Sequence, residues 1–114
     1  MAKIQFIKGI NEEKIPVIRL SLSDDRESGI ATFYFQNPNS MEADSLIKGD
    51  ISGMYLIDEE GELTTKNVNG KFVNGKPFAI EASLVIPDGL LWARFMRFME
   101  RYAKENNLKF TKNK

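Results

Sequence analysis

The stretch IPDGLLWARFMRFMERYAKEN, residues 86–106, is where the chain changes its period. Pro87 cannot donate to a strand ladder, and Asp88 offers a side-chain oxygen to the first free N–H groups of a helix. The spacing therefore predicts a helix over about 88–106. Leu91, Phe95, Phe98, Met99 and Tyr102 recur at i, i+4, i+7, i+8 and i+11, an apolar stripe that has to lie on something. Arg94, Arg97, Arg101 and Lys104 take its flank. Trp92 falls off the centre of the stripe and either caps the core edge or stands out as an anchor.

Upstream of that helix the period is two. KIQFIK (3–8) reads as a strand with Ile4 and Phe6 on one face. PVIRLSLS (16–23) sets Ile18, Leu20 and Leu22 against Arg19, Ser21 and Ser23, and the turn DDRESG (24–29) leads into ATFYFQ (31–36), so the two read as a hairpin. NPNSMEADSLIK (37–48) breaks both periods and reads as a loop with room for one helical turn. ISGMYLI (51–57) resumes strand character, and Asp58-Glu59-Glu60-Gly61 turns the chain into a strand spanning Glu62–Val73. Of the two Asn-Gly pairs, Asn74-Gly75 is assigned the hairpin turn because a long strand, Phe78–Ile86, follows at once; Gly70 is assigned a bulge. Short turns between consecutive strands make the sheet mainly antiparallel. The expected fold is α+β: one domain over 1–114, with strands over about 3–86, the helix packed on one sheet face, and a basic polar tail over 107–114 pinned by Leu108 and Phe110.

Composition narrows the function. The 114 residues carry 16 basic and 16 acidic side chains and neither cysteine nor histidine. That removes thiol nucleophiles, disulfides, Fe–S clusters, imidazole acid–base chemistry and ordinary zinc sites. Zero net charge argues against general nucleic-acid binding. No apolar stretch is long enough to span a bilayer, and MAKIQF lacks the features of a signal or transit peptide, so the expected setting is a reducing compartment. A chain of this size buries about 65% of its unfolded surface, enough for one core.

The neutral total hides a dipole: Leu90–Lys114 holds seven basic and two acidic residues, Glu42–Glu62 seven acidic and one basic. The cluster Asp58-Glu59-Glu60-Gly61-Glu62 could be a carboxylate dyad or a hard-metal site, but it lacks an EF-hand frame, and neighbouring turn residues point apart; a solvated turn is the simpler reading. The arginine stripe either docks an anionic partner or headgroup layer, or is a wet helix face paired with Glu59 or Glu62. Phe33, Tyr34 and Phe35 have no nearby cation of the kind a base-stacking platform needs, so they read as core. Gly-rich phosphate loops are absent.

Several stretches resemble the Psb-twenty-eight family of photosystem II assembly proteins: MAKIQF (1–6), ATFYF (31–35), GMYLIDEEGE (53–62), KFVNGKP (71–77), AIEA (79–82) and, most distinctively, WARFMRFMERYAKEN (92–106). The resemblance covers nearly the whole chain. Departures are Asn69-Gly70, the uncharged helix entry Leu90-Leu91, Asn107 in place of a frequent glycine, and the unmatched loop 37–48. It implies a cofactor-free, non-catalytic protein, peripheral on the cytosolic or stromal face of the thylakoid membrane. Such a protein binds photosystem II assembly intermediates transiently, near the acceptor side, and touches a reaction-centre loop and the tail of a core antenna subunit. It also implies a twisted antiparallel sheet flanked by helices. No catalytic or metal residue is carried over.

A sheet edge gives such a protein a means of capture, because an extended segment can add itself as another strand. Gly53, Met54 and Tyr55 are candidate edge contacts, and Arg94, Arg97 and Arg101 would orient the complex; the free protein is expected to be a monomer. Two other readings use the same residues. A ligand carrier or enzyme unrelated to photosynthesis would turn Arg19 and Glu81 into a pocket, and a self-associating module would pair the free edge with its own copy.

Overall fold

The protein is described by a computed structural model over residues 2–7, 9–24, 28–38, 51 and 53–106. Residues 39–48 of the expected loop 37–48, and the pinning of the tail by Leu108 and Phe110, lie outside the described residues. Eight strands precede one long helix: β1 (Lys3–Ile7), β2 (Ile10–Asn11), β3 (Val17–Leu22), β4 (Gly29–Gln36), β5 (Met54–Asp58), β6 (Gly61–Thr65), β7 (Val68–Val73), β8 (Lys76–Ile86) and α1 (Gly89–Glu105). The antiparallel α+β architecture is the expected one, with the strands divided between two sheets of order β2-β1-β5-β6 and β3-β4-β8-β7.

Alternation decides what each sheet buries. On β4, Ala31, Phe33 and Phe35 are fully buried, while Thr32 and Tyr34 face the other side. On β8, Ile80, Ala82, Leu84 and Ile86 join them; β1 contributes Ile4 and Phe6 from the second sheet, and β5 contributes Met54 and Leu56. The sheets meet through aromatic edges: Phe6 and Phe35 lie 5.0 Å apart at 87° between ring planes. The helix closes this core with Phe95, Phe98, Met99, Tyr102 and Ala103, and Phe95 sets its ring 6.2 Å from Phe33 at 90°. Such perpendicular pairs add about 0.5–1.5 kcal/mol each beyond their buried area.

Asp88 is the N-cap: its Oδ1 accepts the Leu91 N–H at 2.8 Å. At the other end the Asn106 side chain donates to the Tyr102 carbonyl at 2.8 Å, and the Ala2 N–H donates to Glu105, tying the chain's start to the helix's end.

Two strand assignments need correction. The run Glu62–Val73 is two strands in different sheets, β6 and β7, separated at Lys66-Asn67. The Thr65 hydroxyl is the cause. It accepts the Asn67 N–H at 3.1 Å and donates to the Ser83 carbonyl at 2.7 Å, which turns the chain out of one ladder and into the other. Gly70 lies in regular register opposite Ile80, and the irregularity falls between Lys71 and Phe72. The turn at Asn74-Gly75 is as expected: both residues have positive φ, +53° and +78°, the requirement of a tight type I′ turn.

Removing the ring that joins helix to sheet should be costly. Phe95→Ala should lower the unfolding free energy by about 3–5 kcal/mol, read by urea denaturation. Leu90→Ala, at a side chain 87% exposed, should change it by less than about 0.5 kcal/mol.

Candidate functional site

The acidic turn and the arginine face, separate candidates in the sequence, form one structure. β5 and β6 pair down to Asp58↔Gly61, leaving Glu59-Glu60 as a two-residue turn, with Gly61 at φ +126°. Alternation along β5 points Asp58 the same way as Met54 and Leu56, so its carboxylate is carried inward and its side chain is 0% exposed. Its Oδ1 accepts the Glu60 N–H at 2.9 Å.

A buried carboxylate needs partners, and the helix supplies them. Arg94, Arg97 and Arg101 stand at i, i+3 and i+7, one flank of α1. Arg94 grips Asp58 in bidentate fashion, Nη1 to Oδ2 at 2.9 Å and Nη2 to Oδ1 at 2.6 Å. Arg101 Nη1 adds a bond to Asp58 Oδ2 at 2.8 Å and sits 2.6 Å from Glu60 Oε2. Arg97 holds Glu60 by two bonds, from Nε at 2.8 Å and Nη2 at 2.9 Å. Glu59 is only loosely engaged, 3.7 Å from Arg101 Nε. The turn is therefore a clamp on the helix, and its central carboxylate is not a solvated one.

Protonation follows from this geometry. Burial alone would raise the Asp58 pKa, but hydrogen bonds from Arg94, Arg101 and the Glu60 N–H outweigh it and hold the carboxyl below its ordinary value. Bonds from Arg97 and Arg101 lower Glu60 to about 2. Three guanidinium groups meet three carboxylates here, so the basic flank of the helix is neutralised within the molecule.

The other sequence candidates are placed differently. β5 is a central strand, with Tyr55 opposite Gln5 of β1 on one side and Thr64 of β6 on the other. Met54 is buried. At Gly53 the space for a Cβ is taken by the Thr65 carbonyl oxygen at 2.7 Å, so its close backbone neighbour is this chain's own β6. Gly53, Met54 and Tyr55 therefore do not form an edge that could receive a strand. The free edges among the described strands are β2, β3, β6 and β7.

Sequence reasoning missed Asp58, although the alternation Met54, Leu56, Asp58 was the signal for it. It also missed a groove of about 500 Å³ between β3 and α1, lined by Leu20, Leu22, Trp92, Ala93, Met96, Arg97 and Glu100. Trp92 lies half-buried there, its ring 6.0 Å from that of Phe95. Arg19 and Glu81 share a second depression, of about 530 Å³, with Val17, Thr32 and Tyr34 on the outer face of the β3-β4-β8-β7 sheet. Among the described residues no group of three or more His, Cys, Asp or Glu side chains could hold a metal ion.

Because both clamp carboxyls have lowered pKa values, their stabilisation is complete above the ordinary carboxylate range, about pH 4, and is lost as pH falls through the lowered values, about 2 for Glu60. Urea unfolding across pH should show this acid loss. Asp58→Asn should cost about 3 kcal/mol near neutrality, because it strands two guanidiniums, and should flatten the acid limb.

Comparison with known proteins bears out the resemblance. The sequence profile of the Psb28 protein family matches residues 4–110. A relative from Guillardia theta, named Photosystem II reaction center Psb28 protein, is 58% identical over 98% of this chain and 97% of its own length. Proteins of the same name from Cyanophora paradoxa and Gloeothece citriformis are 56% and 55% identical, over 100% and 98% of this chain and 99% of each relative. With a match this complete in both directions, the chain belongs to the Psb28 family.

Proposed function

We propose that this chain is a non-catalytic assembly factor of photosystem II. It docks transiently on the cytosolic or stromal face of assembly intermediates, near the acceptor side, as a monomer when free. The observation that carries the reading is the end-to-end match to relatives named for the photosystem II reaction centre, from both plastid-bearing and cyanobacterial sources. No helix among the described residues is long and apolar enough to cross a membrane, which suits a peripheral position.

The chemistry offered to a partner is backbone and surface. β3 is the longest described edge in unbroken register, six residues paired with β4 against five in β6, with the exposed Arg19 on it as a cation for an anionic segment. β7 carries an irregularity, and β2 has only two residues. A reaction-centre loop or an antenna-subunit tail laid along β3 would direct alternate side chains into the groove beside Trp92 and Met96. Of the three arginines, Arg97 keeps 47% of its side chain exposed and can reach an anionic loop, whereas Arg94 and Arg101 serve Asp58. A transient complex needs only a modest interface, near or below about 1,200 Å².

Tagged protein incubated with gently solubilised thylakoids should recover a partly assembled photosystem II core. Arg97→Gln should keep the fold and reduce recovery several-fold, and native mass measurement of the free protein should give a monomer. If no photosystem subunits are recovered, the reading fails and the ligand-binding alternative at Arg19 and Glu81 takes its place.

A further inference from the structure

The β7–β8 hairpin carries a feature that neither the core nor the clamp uses. β4 pairs with β8 only as far as Gln36↔Ala79, and the last backbone bond from that side is the Asn37 N–H to the Phe78 carbonyl at 2.9 Å. Beyond it, among the described residues, β7 and β8 pair only with each other, as Phe72↔Pro77 and Val73↔Lys76. The tip thus runs roughly 10 Å past the last described pairing with β4, at about 3.3 Å per residue.

Its composition runs against its exposure. Phe72 is 61% exposed and Val73 52%, side by side at the end of an edge strand where a soluble hairpin would place polar residues. The irregularity between Lys71 and Phe72 breaks the alternation there, and neither apolar side chain reaches the core. Lysines flank the pair. Lys76 makes no ion pair with any described residue, and Lys71 has only a loose, exposed contact with Glu81 at 3.7 Å. From residue 63 to residue 80 the sequence holds three lysines and no acidic residue. The Asn74-Gly75 turn fixes the tip's shape before it meets anything.

From this combination we infer that the hairpin tip is a membrane wedge: Phe72 and Val73 enter the headgroup layer of an anionic lipid surface while Lys71 and Lys76 pair with its phosphates. The apolar pair supplies insertion, the lysines supply charge complementarity, and the tip's length matches the shallow depth, about 5–10 Å, that interfacial elements reach. A single aromatic with two cations gives weak, reversible attachment. The inference deepens the membrane-peripheral part of the proposed function and rests on it.

The test is co-sedimentation of the full chain with vesicles of phosphatidylcholine containing about a third phosphatidylglycerol, beside vesicles of phosphatidylcholine alone. Binding to the anionic vesicles is expected, weakening as salt rises. Phe72→Ser should reduce partitioning about tenfold, the amount a buried aromatic contributes, and Lys71→Gln and Lys76→Gln about fivefold each. All these variants should unfold at the wild-type temperature, since the Lys71, Phe72 and Lys76 side chains are exposed. Failure of the wild type to sediment with anionic vesicles at low salt overturns the wedge, as does binding indifferent to Phe72→Ser. Loss of photosystem recovery by Phe72→Ser without vesicle binding also overturns it and makes the tip a protein contact. Vesicle binding without photosystem recovery by the wild type would instead sink the assembly-factor reading and leave the wedge standing.

Discussion

Asp58 is the point on which the rest of the structure turns. Its carboxylate is carried inward by the same alternation that buries Met54 and Leu56, and an unpaired charge in that position would cost several kcal/mol. Arg94 and Arg101 meet it from one flank of the helix. Because Asp58 closes the β5–β6 turn, the contact fixes where that hairpin lies against the helix. The helix in turn presses Phe95 onto Phe33 of the other sheet. Hydrophobic packing alone would allow the helix to slide along its stripe; a bidentate guanidinium–carboxylate pair tolerates little such movement. Apolar burial thus supplies most of the stability, and the clamp selects the register.

The clamp also changes how the molecule's charge should be understood. Counted along the sequence, a basic end faces an acidic middle, which suggests a polarised surface. In space the two largest contributors lie against each other, and Arg97 holds Glu60 by two bonds while leaving 47% of its own side chain exposed. The dipole is largely consumed inside the fold. Beyond the exposed part of Arg97, what remains available for recognition is of a different kind: a free strand edge at β3, a groove beside Trp92, and a cationic hairpin tip with two exposed apolar side chains.

Local chemistry was legible in the sequence wherever one side chain or one short pattern settles the matter. Asp88 caps the helix because its oxygen is one turn from free N–H groups, Asn74-Gly75 turns because both residues tolerate positive φ, and Ala31, Phe33 and Phe35 go inward together because a strand has a period of two. What depends on distant partners was not legible. Thr65 ends β6 by bonding the Ser83 carbonyl, eighteen positions away, and nothing local announces that. Gly53 suggested room for a foreign backbone, whereas the room is filled by the chain's own Thr65. β2, two residues long, offers no periodicity to read. Asp58 falls between these cases: its direction was readable from β5, but its partners came from a helix 36 positions downstream.

An assembly factor of the kind proposed has to hold firmly enough to occupy its position and loosely enough to leave it. A single large interface serves the first need and defeats the second, because its dissociation slows with every contact added. Two weak attachments on separate elements reconcile them. With the tip of β7–β8 in the headgroups, the chain would search for its partner along a surface, at an effective concentration far above that in solution, and the edge at β3 would need only modest affinity of its own. Breaking either contact then releases most of the combined strength. The division of labour within the fold suits such a scheme: the strong electrostatic pairs, at Asp58 and Glu60, are spent within the chain, and the strand edge and hairpin tip are left outward.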